Sequence, residues 1–265
     1  MKNTYANKDL WRQVFTMLSY KNSTREIVEN GTDTAIISVG ATEQFGPYLP
    51  MHLDTLIAEK YAESFGEVLN AYVLPTIPFN TSEEHANCKG TITVSPNVLT
   101  TMLEEIVFNL KRQGFKKFVL CNGHGGAYWE AAFVKHMNYK YQDILLITTH
   151  RHRAWEESLA EAGLENLNEV HGGLLSVCTA MWLCPDLVNL ESMGSAVPKE
   201  NRKFADYIYW DKLTKDGCWG EFENNVYTPK QLAEIGERFW TAFISKRAEN
   251  LKSILEEAYH LKMKR

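Results

Sequence analysis

The sequence predicts a three-layer α/β/α fold around a mostly parallel sheet, and two observations carry that prediction. Short apolar runs rich in β-branched residues alternate with longer stretches of helical spacing. No internal repeat, low-complexity tract or Gly/Ser/Pro-rich linker breaks the alternation, so residues 1–265 read as a single domain of a length that one large α/β domain fills. Units of this size join parallel strands by right-handed crossovers, which puts helices on both faces of the sheet.

The elements follow in order. Thr34–Val39 is the first buried strand, and the loop Gly40–Asp54 leads into a helix over Asp54–Leu69. Ala71–Ile77 is a second strand. Pro96–Gln113 is a helix with Pro96 at its first position and Ser95 as N-cap. Lys117–Cys121 is a third strand, followed by the loop Asn122–Ala127 and a helix over Tyr128–Tyr139. Ile144–Thr149 reads as a fourth strand, Arg153–Ala162 and Leu174–Leu183 as helices. One long helix runs from Pro229, capped by Thr228, to about Leu261.

Composition excludes several classes of function. A net charge of −5 and a pI near 5.9 give no electrostatic reason to expect nucleic acid or an anionic membrane. The basic Lys262, Lys264 and Arg265 read as a solvated helix end, no apolar run has the length of a membrane span, and Met1–Tyr5 lacks the apolar stretch of a signal peptide. Five cysteines, odd in number and without a CxxC pair, argue against a disulfide framework and for a reducing cytoplasm. Cys121 and Cys178 stand in apolar surroundings and read as small core residues.

Ligands of open α/β sheets bind beyond the C-terminal ends of the strands. Two loops there combine glycine with metal-ligating side chains: Gly40–Asp54, carrying Glu43, His52 and Asp54, and Asn122–Ala127, carrying His124. Asp54 alone would read as an N-cap. Glu43, just past an apolar strand, must find a partner or a cation. The glycines around His124 allow a close backbone approach, but the loop matches neither the Walker A pattern nor GxGxxG. His171-Gly172-Gly173 opens an apolar helix and reads equally as a turn or as part of a site. Two carboxylates and a histidine suit Zn²⁺, Mn²⁺ or Fe²⁺.

These residues resemble the creatininase family of amide hydrolases. The motif G-[ST]-x-E-Q-H-G-P-H-L-P stands here as Gly40 to Pro50 with Asp54 after it, N-G-H-G-G-N as Asn122 to Ala127, and H-A-G-E-x-E-T-S as His171 to Cys178. Pro75 to Pro78, Ser82 to His85, Gly90-Thr91 and Gly217 to Gly220 extend the likeness from about residue 30 to the C-terminus. It implies a hydrolase of the C–N bond of a small amide or cyclic amide, with a divalent metal and a closed homo-oligomer, often a hexamer.

Residue by residue, the resemblance assigns Glu43, Asp54 and His124 to one metal and proton transfer to His171. The family's second metal takes the first motif's histidine, here Phe45, and a glutamate whose alternative positions are here Gly126 and Leu174. Both losses fall on the same ion, so one metal per chain is expected. Substrate contacts are expected from Tyr48, His52, Gly125 and Trp219, with replacement of a lost ligand or a plain surface-loop position as the alternatives for His52. Of Tyr128, Trp129, Trp155, Trp182 and Trp219, only the last is expected to line the site, and Glu84 and His85 read by default as a solvated loop, with the pocket wall as their alternative place. The rival reading is an inactive relative that binds a metabolite or a partner protein.

Overall fold

The computed structural model describes residues 17–149, 154–165, 167, 169–191, 199–220 and 226–264. The expectations for Met1–Tyr5, Arg153 and Arg265 fall outside them. Four parallel strands form one sheet in the order β2 (Tyr72–Val73), β1 (Thr34–Val39), β3 (Lys117–Asn122), β4 (Leu145–Thr148).

Strand periodicity divides the core. Ile36, Val119, Cys121 and Leu145 face one side, where they pack with α2 (Leu53–Leu69), α6 (Leu174–Leu183) and α7 (Pro229–Met263). Ala35, Ile37, Val39, Phe118, Leu120 and Leu146 face the other, against α3 (Pro96–Arg112) and α4 (Glu130–Lys140). Helix α5 (Ala154–Ala162) packs on α7. Two apolar faces on one sheet demand a helical layer on each, as the alternation predicts.

The helix boundaries have local causes. Ser95 caps α3 and Thr228 caps α7 through a capping box, each with proline in the first turn. A further helix, α1 (Thr24–Asn30), is closed by a capping box between Ser23 and Glu26 and by Gly31 in the left-handed region. The second strand is shorter than Ala71–Ile77. Pro75 cannot donate to the ladder, and pairing beyond it continues only as the isolated Val39–Ile77 bridge. No helix among the described residues is long and apolar enough to cross a membrane.

The register sets the site. Val39 pairs with Asn122, so β1 and β3 end side by side and their loops leave from one edge of the sheet.

Candidate metal centre

Glu43, in the loop after β1, is held by its backbone N–H donating to Met51 O at 2.9 Å. Asp54 is the second residue of α2, whose N-cap position belongs to His52, so Asp54 is not the cap. His124 follows β3. Asn122 braces that loop: its Oδ1 accepts from the His124 N–H at 3.1 Å and its Nδ2 donates to His124 O at 2.7 Å. The three side chains converge, with His124 Nδ1 at 2.9 Å from Asp54 Oδ2 and 3.2 Å from Glu43 Oε1. His124 Nε2 lies 2.8 Å from the Thr81 carbonyl, which can only accept, so Nε2 carries a proton and Nδ1 faces the carboxylates.

The electrostatics call for a cation. Glu43 is fully buried and neither of its oxygens has a hydrogen-bond partner. Burial alone would raise its pKa, but His124, then His171 and His85, override burial and hold it well below the carboxylate range. Asp54 is pushed the other way, to about 7, by burial and by the charge on Glu43. Burial opposes a charge on His124, yet Glu43 and Asp54 hold its pKa well above the usual value. Two buried carboxylates thus share one proton on one imidazole. The two orphaned oxygens and a set of two carboxylates and one imidazole within 4.8 Å of one another fit a divalent ion.

A cavity of about 740 Å³ opens onto this cluster. His171 reaches it from the segment before α6, its Nδ1 3.7 Å from Glu43 Oε1. Glu169 holds that segment by accepting from the N–H groups of Gly173, Leu175 and Ser176 at the N-terminus of α6. Phe45 stacks on His171 at 4.2 Å, making the first lost ligand position an apolar wall. At the second, a Cβ on Gly126 would collide with the Glu84 carboxylate, which lines the cavity 3.9 Å from His124 Nε2. Leu174 packs on the core beneath α6.

Three residues from which substrate contacts are expected stand away from the cavity. Tyr48 is buried outside the cavity wall, its hydroxyl donating to the Gly172 carbonyl. His52 makes no capping bond and does not line the cavity. Trp219 lies behind the site, its backbone paired with His171 and its ring against Trp210. Gly125 does line the cavity, and the aromatic wall is Tyr128, Trp155, Trp210, Trp240 and Phe243.

Glu84 and His85 are not a solvated loop. His85 is 1% exposed, with Nε2 4.0 Å from Glu43 Oε1, and burial together with His171 lowers its pKa to about 3. Gln44, beside Glu43 in the first motif, also has a part that sequence reading missed. Its backbone O lies 2.5 Å from His171 Nε2, and its side chain lies 2.8 Å from His85 Nδ1. Among the described residues a second group able to hold a metal is Glu43, His85 and His171.

The profile of the family described as Creatininase, creatinine amidohydrolase, matches residues 21–251. The mycofactocin precursor peptide peptidase of Mycolicibacterium smegmatis is 34% identical over 113 residues, covering 39% of this chain and 44% of that one. The creatinine amidohydrolase of Pseudomonas putida is 25% identical over 190 residues, covering 64% and 72%. The chain thus spans about half the length of the peptidase relatives it matches. Among solved structures, a putative creatinine amidohydrolase from Bacteroides fragilis superposes with TM-score 0.70 at 24% identity, over 91% of this chain and 98% of that one. A creatininase superposes with TM-score 0.72 at 19% identity, over 90% and 98%, which establishes the shared fold. Solved creatininases include a manganese form and a zinc–zinc form.

Proposed function

The chain belongs to the creatininase family, and from that premise we propose that it is a metal-dependent hydrolase of an amide or cyclic amide bond, with one divalent ion per chain held by Glu43, Asp54 and His124. The observation that carries the reading is the Glu43 carboxylate, fully buried, with no well-formed hydrogen bond at either oxygen and ringed by three imidazoles, of which His124 is nearest at 3.2 Å. A buried charge in that state persists only where a cation or a reacting group answers it.

A divalent ion would act there as a Lewis acid that polarises the substrate carbonyl. The chain's own residues do the rest. His171 has its Nε2–H tied to the Gln44 carbonyl, so Nδ1 is free to accept a proton from the attacking water and pass it to the leaving nitrogen. One C–O bond forms, the C–N bond breaks, and the products are a carboxylic acid and an amine. The aromatic side of the cavity shields the reacting groups from bulk water and offers flat apolar surfaces to the substrate.

Zinc, manganese and iron all suit the donor set, and the relatives act on creatinine or on a precursor peptide, so the substrate belongs to the wider class of small amides and peptide-like amides. A closed homo-oligomer goes with the family, and the five free cysteines fit the cytoplasm. The inactive alternative is not favoured, because Glu43, Asp54 and His124 keep a buried, compact set of ligands for a divalent ion.

Elemental analysis of protein purified without added metal or chelator tests the reading. About one equivalent of zinc, manganese or iron per chain is expected, absent from a Glu43→Ala, His124→Ala double variant. Failure to take up any of these ions, even after incubation, would remove the hydrolase assignment.

A further inference from the structure

The group Glu43, His85 and His171 is as compact as the proposed metal triad, yet its protons are arranged differently. The Gln44 amide is fixed at both ends. Its Oε1 accepts from the Gly46 N–H at 2.8 Å, and its Nε2 donates to the Gly217 carbonyl at 2.8 Å. The remaining amide hydrogen points to His85 Nδ1, also at 2.8 Å. A nitrogen that accepts carries the lone pair, so the proton of neutral His85 is on Nε2. The partner ring is set the opposite way. His171 Nε2 faces the Gln44 carbonyl at 2.5 Å and must donate, which leaves the lone pair on Nδ1.

The two rings stack at 4.3 Å and turn these nitrogens toward Glu43 Oε1. His85 Nε2–H is 4.0 Å from that oxygen and His171 Nδ1 is 3.7 Å from it, too far for direct hydrogen bonds. One nitrogen of each ring and a Glu43 oxygen lie within 4.8 Å of one another. With two sides of 4.0 and 3.7 Å and a third of at most 4.8 Å, the centre of the triangle lies at most about 2.5 Å from each corner, so it is the protons and not the distances that separate a metal from a water molecule. A metal would need three lone pairs and meets one N–H. A water molecule needs one donor and two acceptors, which is the set present.

We propose that Gln44 locks His85 and His171 in opposite tautomers so that, with Glu43, they hold the water that attacks the substrate. His85 is thereby a catalytic hydrogen-bond donor and not a metal ligand, and Gln44 is a positioning residue. The water accepts from His85 Nε2–H and donates to His171 Nδ1 and Glu43. Its remaining lone pair forms the bond to the carbonyl carbon, its proton passes to His171 and on to the leaving nitrogen, and the C–N bond breaks. Gly217 belongs to the same device. It has φ +84°, and a Cβ there would collide with the Gln44 amide.

The inference rests on the hydrolase reading, and its test separates the two. The full chain, labelled with ¹⁵N-histidine, is examined by NMR with His85→Asn used for assignment, and zinc alone is titrated into wild type, His85→Ala and Gln44→Glu. The expected result is a neutral His85 protonated on Nε2, and a His85→Ala variant that binds zinc within about threefold of wild type. In Gln44→Glu a carboxylate would accept where the amide donates, move the His85 proton to Nδ1 and expose a lone pair at Nε2, so this variant is expected to take up additional zinc. A proton on Nδ1 in wild type, or a loss of zinc affinity in His85→Ala of about tenfold or more, would overturn the proposal by making His85 a ligand or a ligand support. If wild type binds no zinc and, titrated in the same way, no manganese or iron, the hydrolase reading falls, while the nitrogen spectrum still decides the tautomer of His85.

Discussion

Two glutamates are buried to the same degree in this protein and meet opposite fates. Glu43 is 0% exposed and Glu130 1% exposed. Glu130, in the first turn of α4, accepts from Asn122 Nδ2 at 3.2 Å and from the Thr148 hydroxyl, and burial pushes its pKa to about 8, partly offset by Asn122. It is a largely neutral acid tied into the fold. Glu43 has no well-formed hydrogen bond at either oxygen and is held anionic chiefly by the His124 imidazole, 3.2 Å from one of them. Burial by itself therefore does not mark a functional carboxylate. What marks it is a charge kept in place by groups that can themselves exchange protons or yield to a cation. Asn122 joins the two environments, since the amide that donates to Glu130 also braces the His124 backbone.

The sharpest way to break this comparison is Glu43→Gln. Hydrolysis of an amide substrate is expected to fall at least about 10³-fold with the metal, and the metal-free protein is expected to unfold at a lower temperature at neutral pH, because the anion that His124 favours in the folded state is gone. A loss of stability with hydrolysis and metal affinity unaltered would place Glu43 in the same structural role as Glu130.

Asn122→Ala comes next. It leaves Glu130, Asn80 and both backbone groups of His124 short of partners, which should cost on the order of 3 kcal/mol and weaken metal binding together. Calorimetry and metal titration on one preparation would detect the coupling, and a loss in stability with unaltered metal affinity would show the two environments to be independent.

The smallest expected effect is that of Glu130→Gln, and it depends on pH. With a folded pKa of about 8 against an ordinary 4.5, folded Glu130 keeps a proton that the unfolded chain releases. Its contribution is complete below about pH 4.5 and is lost as pH rises through 8. Glu130→Gln should be close to neutral at about pH 5 and stabilising by up to a few kcal/mol at about pH 9. Parallel melting curves for the two proteins across that range would refute the assignment.

Much of the fold was legible in the sequence because its causes are local. Apolar runs gave β1 and β3 to within a residue, and Ser95 and Thr228 with their prolines marked where α3 and α7 begin. Helix α1 carried an equally local signal, the Ser23–Glu26 capping box with Gly31 behind it, so its omission was a failure of reading and not of information. The second strand was overextended because the apolar pattern outlasts the hydrogen bonds that Pro75 can make.

The site divides in the same way. Glu43, Asp54 and His124 could be named from motifs at strand ends, since a parallel sheet brings the loops after its strands to one edge whatever lies elsewhere. The other participants depend on contacts that spacing does not encode. Gln44 reaches His85 across 41 residues and Gly217 across 173, the Glu84 carboxylate enters the space beside Gly126, and Trp210 takes the place expected for Trp219. Periodicity and chain direction were enough to place the layers, the strand ends and the residue types able to hold a cation. Which nitrogen of each histidine bears a proton had to wait for the folded chain, because a tautomer is set by the single atom that a distant neighbour places opposite it.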